Sequence, residues 1–434
     1  MPDSTARPHD TKAQSANAKG WLPIAAATAV AAPALVLRGL EVTGIAELGL
    51  ASGLESAIFG LTILAAATLL IWASEVAERL ISATLALAVL AIIAVLPEYA
   101  VDLFFAWTAP DNPENAQLAL ANMTGANRLL IGFAWPLVFL VFWLRQKKGT
   151  RKRTLRIGED SSTGIVFLGI ATLYSFSIPL RGNLSLIDSG VLISLFALYL
   201  IISSRSPPRE EGELIGPSVV IAALPLRTRW AAIIGIFVFA AATVFAAAEP
   251  FAEGLVDTGK SAGIDEFLLI QWVAPLASEA PEFLLAAMLA LRGRAMAGMT
   301  LLISSKVNQW TLLVGSLPLA FAISGGSFSP LNIESRQVEE VFLTAAQSIF
   351  AVAVLTNLRF SAREAILIFV LFTAQLVIPI ETVRIGFGAG YMVLAIGWFV
   401  AQRGSIFGRL RETKEQAFGT PAPVPPHGAN PNGD

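Results

Sequence analysis

Stretches of about twenty mostly apolar residues, separated by short polar or basic links, recur along this chain from Trp21 to the region of Gln402. That length is what an α-helix needs to cross the hydrocarbon of a bilayer. The pattern predicts twelve spans, beginning near Trp21, Leu54, Ile81, Gln117, Gly164, Leu186, Trp230, Asp265, Ala297, Val338, Arg363 and Phe387. The expected fold class is an all-α polytopic membrane protein.

Two spans break the pattern where a membrane helix should be most oily. Pro97-Glu98 lies within AIIAVLPEYAVDLFF, and Pro281-Glu282 within LASEAPEFLLAAML. A carboxylate at that depth costs on the order of 2.5 kcal/mol or more, and a neighbouring proline leaves a backbone carbonyl without its helical donor. Residues this costly point to chemistry.

The two segments belong to an internal repeat. A shift of about 175 residues brings Ile58 to Leu80 onto Ile233 to Leu255, matching Gly60 with Gly235 and the Ala-Ala-Ala-Thr run at 65–68 with that at 240–243. In each half the Pro-Glu helix comes next. It is followed by a polar-interrupted helix with a Gly and a Pro near its end, Gly132 and Pro136 or Gly315 and Pro318, and by two further spans. Five spans is an odd number, so the second half enters the membrane from the opposite side. Such inverted repeats place an ion or substrate site at the midplane between the halves.

Composition narrows the chemistry. The chain has 434 residues, 55% hydrophobic and 14% charged, with a mean hydropathy of +0.66. A net charge of −2 gives no basic surface for nucleic acid. Cysteine is absent, and both histidines, His9 and His427, lie in polar tails. Any buried ion site must therefore use oxygen ligands, which favours hard cations. There is no His-Glu-x-x-His, cysteine nucleophile or phosphate-binding glycine loop, so an enzyme is not expected and no cofactor is implied. Inorganic cations and the lipid bilayer are the expected partners.

Basic residues set the orientation. The run Arg145 to Arg156, with clusters near Arg205–Arg209, Arg227–Arg229, Arg292–Arg294, Arg359–Arg363 and Arg403–Lys414, falls on one side if there are twelve spans. That side is cytoplasmic, with both termini, and a bacterial inner (plasma) membrane is expected. The expected organisation is a polar tail at 1–20, an extra helix and link at 21–52, a first repeat at 53–204 and a cytoplasmic linker at 205–228. A second repeat at 229–381, an extra helix at 382–403 and a disordered tail at 404–434, Pro-rich after Phe418, complete it.

The two repeats resemble the calcium:cation antiporter superfamily, in the membrane region of sodium/calcium exchangers, and the chain reads as a divergent bacterial-type member. The first repeat carries AVLPEYA and ANMTGANRLLIG, with Asn122, Gly125 and Asn127 on the family pattern; the second carries LASEAPEF and ISSKVNQWTLLVG. The resemblance covers about Leu54 to Pro379. It implies that Glu98 and Glu282 are paired carboxylates coordinating a divalent cation and that Ser278 and Ser305 are hydroxyl ligands. It implies alternating-access exchange of Ca2+, or a similar hard cation, for H+ or Na+. The chain departs from the pattern at Ala94 and Val95, where hydroxyls are usual, at Glu279, at Leu130 and Gln309, and in the nearby cations Arg128 and Lys306.

These departures can be weighed on their own terms. Glu98 and Asp102 are four apart and Glu279 and Glu282 three apart, so each pair shares a helix face. Four carboxylates with Arg128 and Lys306 leave a charge of about −2 if all ionise. One divalent ion neutralises it, and protons serve in its absence. Asn122, Asn127, Asn308 and Gln309 are expected to line the site. Two alternatives stand beside Ca2+ exchange: a monovalent cation/proton exchanger on the same fold, and a non-transporting protein whose acids are salt-bridged to Arg128 and Lys306.

Overall fold

The computed structural model describes residues 18–43, 51–77, 79–80, 96–147, 151–205, 214, 216–377 and 381–418. The first eleven-helix run comprises α1 (Ala18–Val42), α2 (Ser52–Ala77), α3 (Leu96–Thr108), α4 (Pro113–Leu129), α5 (Trp135–Arg145), α6 (Ser162–Ser175), α7 (Ser177–Arg181), α8 (Leu186–Ser203), α9 (Ser218–Ala222), α10 (Leu226–Ala262) and α11 (Glu266–Leu291). After them come α12 (Ala295–Asn308), α13 (Val314–Gly325), α14 (Ser335–Leu355), α15 (Ala362–Val377), α16 (Glu381–Ala401) and α17 (Arg403–Phe418). Most of the span that the sequence begins at Ile81 lies outside the described residues, as do Ala94 and Val95.

Among the described residues nine helices are long and apolar enough to cross a membrane, and ten if the bent α11 counts as one span. Twelve requires α3, which continues residues outside the described set, and the 16-residue α15 also to cross. The bend in α11 is 51°, between Glu266–Ala280 and Glu282–Leu291. Residue 281 is a proline, which has no amide N–H to complete the helical ladder there.

The repeat is visible as packing. Helix α2 runs along its counterpart α10. The first Pro-Glu helix, α3, packs on α13 of the second repeat, while the second, α11, packs on α4 and α5 of the first. The broken helices also correspond. A π-helical segment, Leu130–Ala134, joins α4 to α5, and another, Gln309–Leu313, joins α12 to α13. Each precedes a helix carrying a proline, Pro136 or Pro318. A single wide turn of this kind leaves carbonyls outside the regular ladder.

Two small strand pairs tie loops together on opposite faces. β1 (Thr154–Arg156) is antiparallel to β4 (Arg359–Ser361), and β2 (Asn183–Leu184) to β3 (Leu331–Asn332). The first pair joins the link before α6 to the link before α15; the second joins the link after α7 to the link after α13. Each pairing needs an even number of crossings between its strands, as two oppositely threaded five-span halves supply. The segment Arg403–Phe418, in the expected disordered tail, is instead helical: it contains no proline and repeats Phe407, Leu410 and Thr413-type spacings suited to one helix face.

Close helix approach depends on Gly125. A Cβ there would lie 1.8 Å from the carbonyl oxygen of Gln271 on α11, so only glycine lets α4 and α11 touch backbone to backbone. Gly125→Ala is expected to destabilise the protein by about 1–3 kcal/mol through overpacking. Gly235→Ala, where a Cβ meets nothing within 4 Å, should leave thermal unfolding in detergent unchanged.

Candidate ion-binding site

The Pro-Glu helices deliver their acids to one place. Glu98 sits in the first turn of α3, with Asp102 one turn further on the same face; Glu279 and Glu282 flank the bend of α11. All four are withdrawn from water, with side chains at most 3% exposed. The carboxyls of Glu98 and Glu279, from opposite repeats, stand close enough for each to feel the other's charge, and Asp102 and Glu282 add their fields. Carboxylates this close, and this far from water, are stable together when a proton or a cation lies among them. Neither oxygen of Glu98 has a hydrogen-bond partner among the described residues.

The remaining polar groups are arranged around these acids. Asn122 Nδ2 donates to Asp102 Oδ1 at 2.7 Å. Gln309 Nε2, in the second π segment, donates to Glu279 Oε1 at 2.5 Å. The Ser305 hydroxyl stands beside the Glu282 carboxyl. Ser278 donates to its own helix at Ala274 O, 3.3 Å away, leaving its oxygen lone pairs available. Tyr99, which the sequence reading passed over, donates its hydroxyl to Asn308 Oδ1 at 3.2 Å.

Lys306 and Arg128 part company. Lys306 Nζ donates to Asn127 at both Oδ1 (2.5 Å) and the backbone carbonyl (3.1 Å), and lies 4.6 Å from the centre of the Trp310 ring. It is fully buried and acts electrostatically on Glu98 and Glu279. Arg128 instead turns to α14, where it pairs with Glu340 at 2.6 Å and stacks 4.9 Å over Trp272. The expected alternative in which Arg128 salt-bridges Glu98 or Glu282 is therefore not what the geometry holds. A carboxylate on α14 lies nearer, at the same buried depth.

That second charged network was not anticipated. Arg384 on the extra helix α16 bridges Glu339 at 3.0 Å and Glu340 at 3.6 Å. Gln347 donates to the Arg128 carbonyl at 3.3 Å, beside the first π segment, and Gln375 donates to Gln347 at 3.1 Å. The signal was available: Glu339, Glu340 and Arg384 are ionisable residues inside apolar segments.

Among the described residues no group of three or more acidic or histidine side chains stands close enough to cage a metal ion. In this arrangement the acids are met by Lys306, Asn122, Gln309 and one another. Oppositely threaded repeats, broken helices and carboxylates meeting within the membrane define a secondary transporter of cations.

The chain belongs to the sodium/calcium exchanger protein family, whose model matches residues 56–205 and 232–380. It is 40% identical to the H+/Ca2+ exchanger CAX, whose crystal structure superposes with a TM-score of 0.86 over 92% of this chain and 98% of that one. Native YfkE shares the fold at 14% identity and a TM-score of 0.57, covering 86% of this chain and 99% of that one. The sodium-calcium exchanger NCX_Mj, soaked with Na+ and Sr2+, does so at 16% and 0.51, covering 75% and 98%. No curated protein matches the chain.

Because Arg128 and Glu340 are buried partners, removing one strands the other. Arg128→Gln is expected to cost about 3–5 kcal/mol, whereas Arg128→Met with Glu340→Leu should recover most of it. Thermal unfolding of the three proteins in one detergent checks this.

Proposed function

We propose that the protein is an antiporter exchanging Ca2+, or a similar hard cation, for protons, with Glu98 and Glu282 as the principal ligands. Glu279, Asp102, Ser278 and Ser305 complete the oxygen set, and Asn122, Asn127, Asn308 and Gln309 line it. The observation that carries the reading is the approach of Glu98 to Glu279 across the repeat interface, with Asp102 and Glu282 beside them and all four buried.

The charge balance supports it. With Arg128 engaged by Glu340, four carboxylates, Lys306 and one proton held among the buried acids sum to −4 + 1 + 1 = −2. One divalent cation neutralises that charge, and two further protons do so in its absence. Each state is electrically matched to the hydrocarbon around it. Lys306 supplies a tethered positive charge where a sodium-coupled exchanger would bind a free ion. The similarity to an H+/Ca2+ exchanger over 92% of the chain supports the same pairing. The two repeats are assigned to 53–204 and 229–381. The basic loops support a cytoplasmic side for both termini and a bacterial plasma membrane as the protein's location.

Purified protein in sealed vesicles should accumulate Ca2+ down an imposed pH gradient without sodium. Glu98→Gln and Glu282→Gln should each reduce that flux to background while the protein still folds. Uptake that needs sodium at constant pH would overturn the proton coupling, and undiminished flux in both variants would remove these residues from the site.

A further inference from the structure

The last helix, α17, starts two residues after α16 ends at Ala401, so it begins at the membrane surface. One side of it is held by the protein. Arg409 donates to Ser162 Oγ at 2.8 Å and pairs with Glu412 at 2.5 Å; Ser162 donates to Glu412 at 2.7 Å, and Thr413 is buried. These contacts seat α17 against the start of α6 and against α8.

The opposite side is Arg403, Phe407, Leu410, Arg411 and Lys414, which fall on one helical stripe. Phe407 is 73% exposed and Leu410 48%. Arg403 precedes this apolar pair along the helix axis, and Arg411 and Lys414 follow it. Glu415, at the edge of the stripe, is occupied by Arg411 at 2.7 Å, and Glu412 is turned inward. The outward face thus joins two large apolar side chains to a net positive charge, on a helix whose rotation about its axis is fixed by the Ser162 contacts.

We propose that α17 is an interfacial helix seated on anionic phospholipid. Phe407 and Leu410 enter the acyl boundary, and Arg403, Arg411 and Lys414 reach headgroup phosphates. Apolar side chains enclosed by snorkelling cations are the chemistry such a surface accepts, and the helix's position directly after a membrane span puts that surface within reach. The seat is mechanically joined to the transporter core. Ser161 and Thr300 hydroxyls, 2.8 Å apart, link the start of α6 to α12, which carries Ser305 and Lys306. This inference does not depend on which ion is carried.

The natural chain has no cysteine, so Phe407→Cys and Leu410→Cys provide single attachment points for an environment-sensitive fluorophore on the full chain. In nanodiscs containing phosphatidylglycerol, both labels should be quenched by nitroxide on lipid acyl chains and shielded from iodide. A label at Glu415→Cys should show the reverse. Each of Arg403→Gln, Arg411→Gln and Lys414→Gln should shift the seated population about fivefold toward iodide access, equivalent to about 1 kcal/mol per basic residue near an anionic surface. Equal iodide access at 407, 410 and 415 would overturn the proposal. So would shielding that is identical in phosphatidylcholine and phosphatidylglycerol, or that appears only with two protein copies per disc, which would assign the face to neutral lipid or to a second copy.

Discussion

Charge inside hydrocarbon must be matched in place, and this molecule is organised around that constraint. Glu98 and Glu279 meet where two oppositely threaded repeats cross, with Asp102 and Glu282 beside them, all shut off from water. Water cannot stabilise these groups, so each needs a proton, a donor or a cation. Asn122, Gln309, Ser305 and Lys306 are the partners built into the chain. On the reading proposed above, what they leave unmatched is the charge that a transported ion meets, and a site complete only with a divalent cation or with protons exchanges one for the other by that requirement.

The rest of the architecture positions that meeting. Gly125 brings α4 against the backbone of α11, so the helix carrying Asn122 and Asn127 lies beside the one carrying Glu279 and Glu282. The π segments 130–134 and 309–313 interrupt the ladders of both broken helices, and Gln309 in the second reaches Glu279 from the interruption itself. The Arg128–Glu340 pair, flanked by Arg384 and Glu339, is balanced within itself, with two cations and two carboxylates. It joins the first repeat, the second repeat and the extra helix α16 without drawing on the charge of the central acids. Lys306 is left as the cation acting on Glu98 and Glu279.

Much of this was legible in the sequence because the bilayer imposes simple rules. Span length follows hydrocarbon thickness, so the starts near Leu54, Leu186 and Asp265 fall within two residues of α2, α8 and α11. A glutamate beside a proline in an apolar run stands out because its cost is large, which singles out Glu98 and Glu282, while Glu279 stands out as a departure from the family pattern one turn before Glu282. The partner of Arg128 was not legible, since a salt bridge joining α4 to α14, 212 residues apart (340 − 128), leaves no local spacing to read. The π segments leave no mark in hydropathy, which responds to side chains and not to hydrogen-bond register. The helix 403–418 was hidden by the proline-rich residues that follow it, although its own stripe of Phe407, Leu410 and Lys414 has helical spacing.

The central claim is that carboxylates from the two repeats converge on one cation. Crystals or grids of the full chain prepared with manganese, whose scattering distinguishes it from water, test it most directly. The account predicts a single strong peak within about 2.6 Å of carboxylate oxygens of both Glu98 and Glu282, the reach of hard-cation ligation, weakening as pH falls and protons take its place. A peak bound by one repeat alone, or none between the two helices while the cation is bound elsewhere in the membrane region, would contradict it.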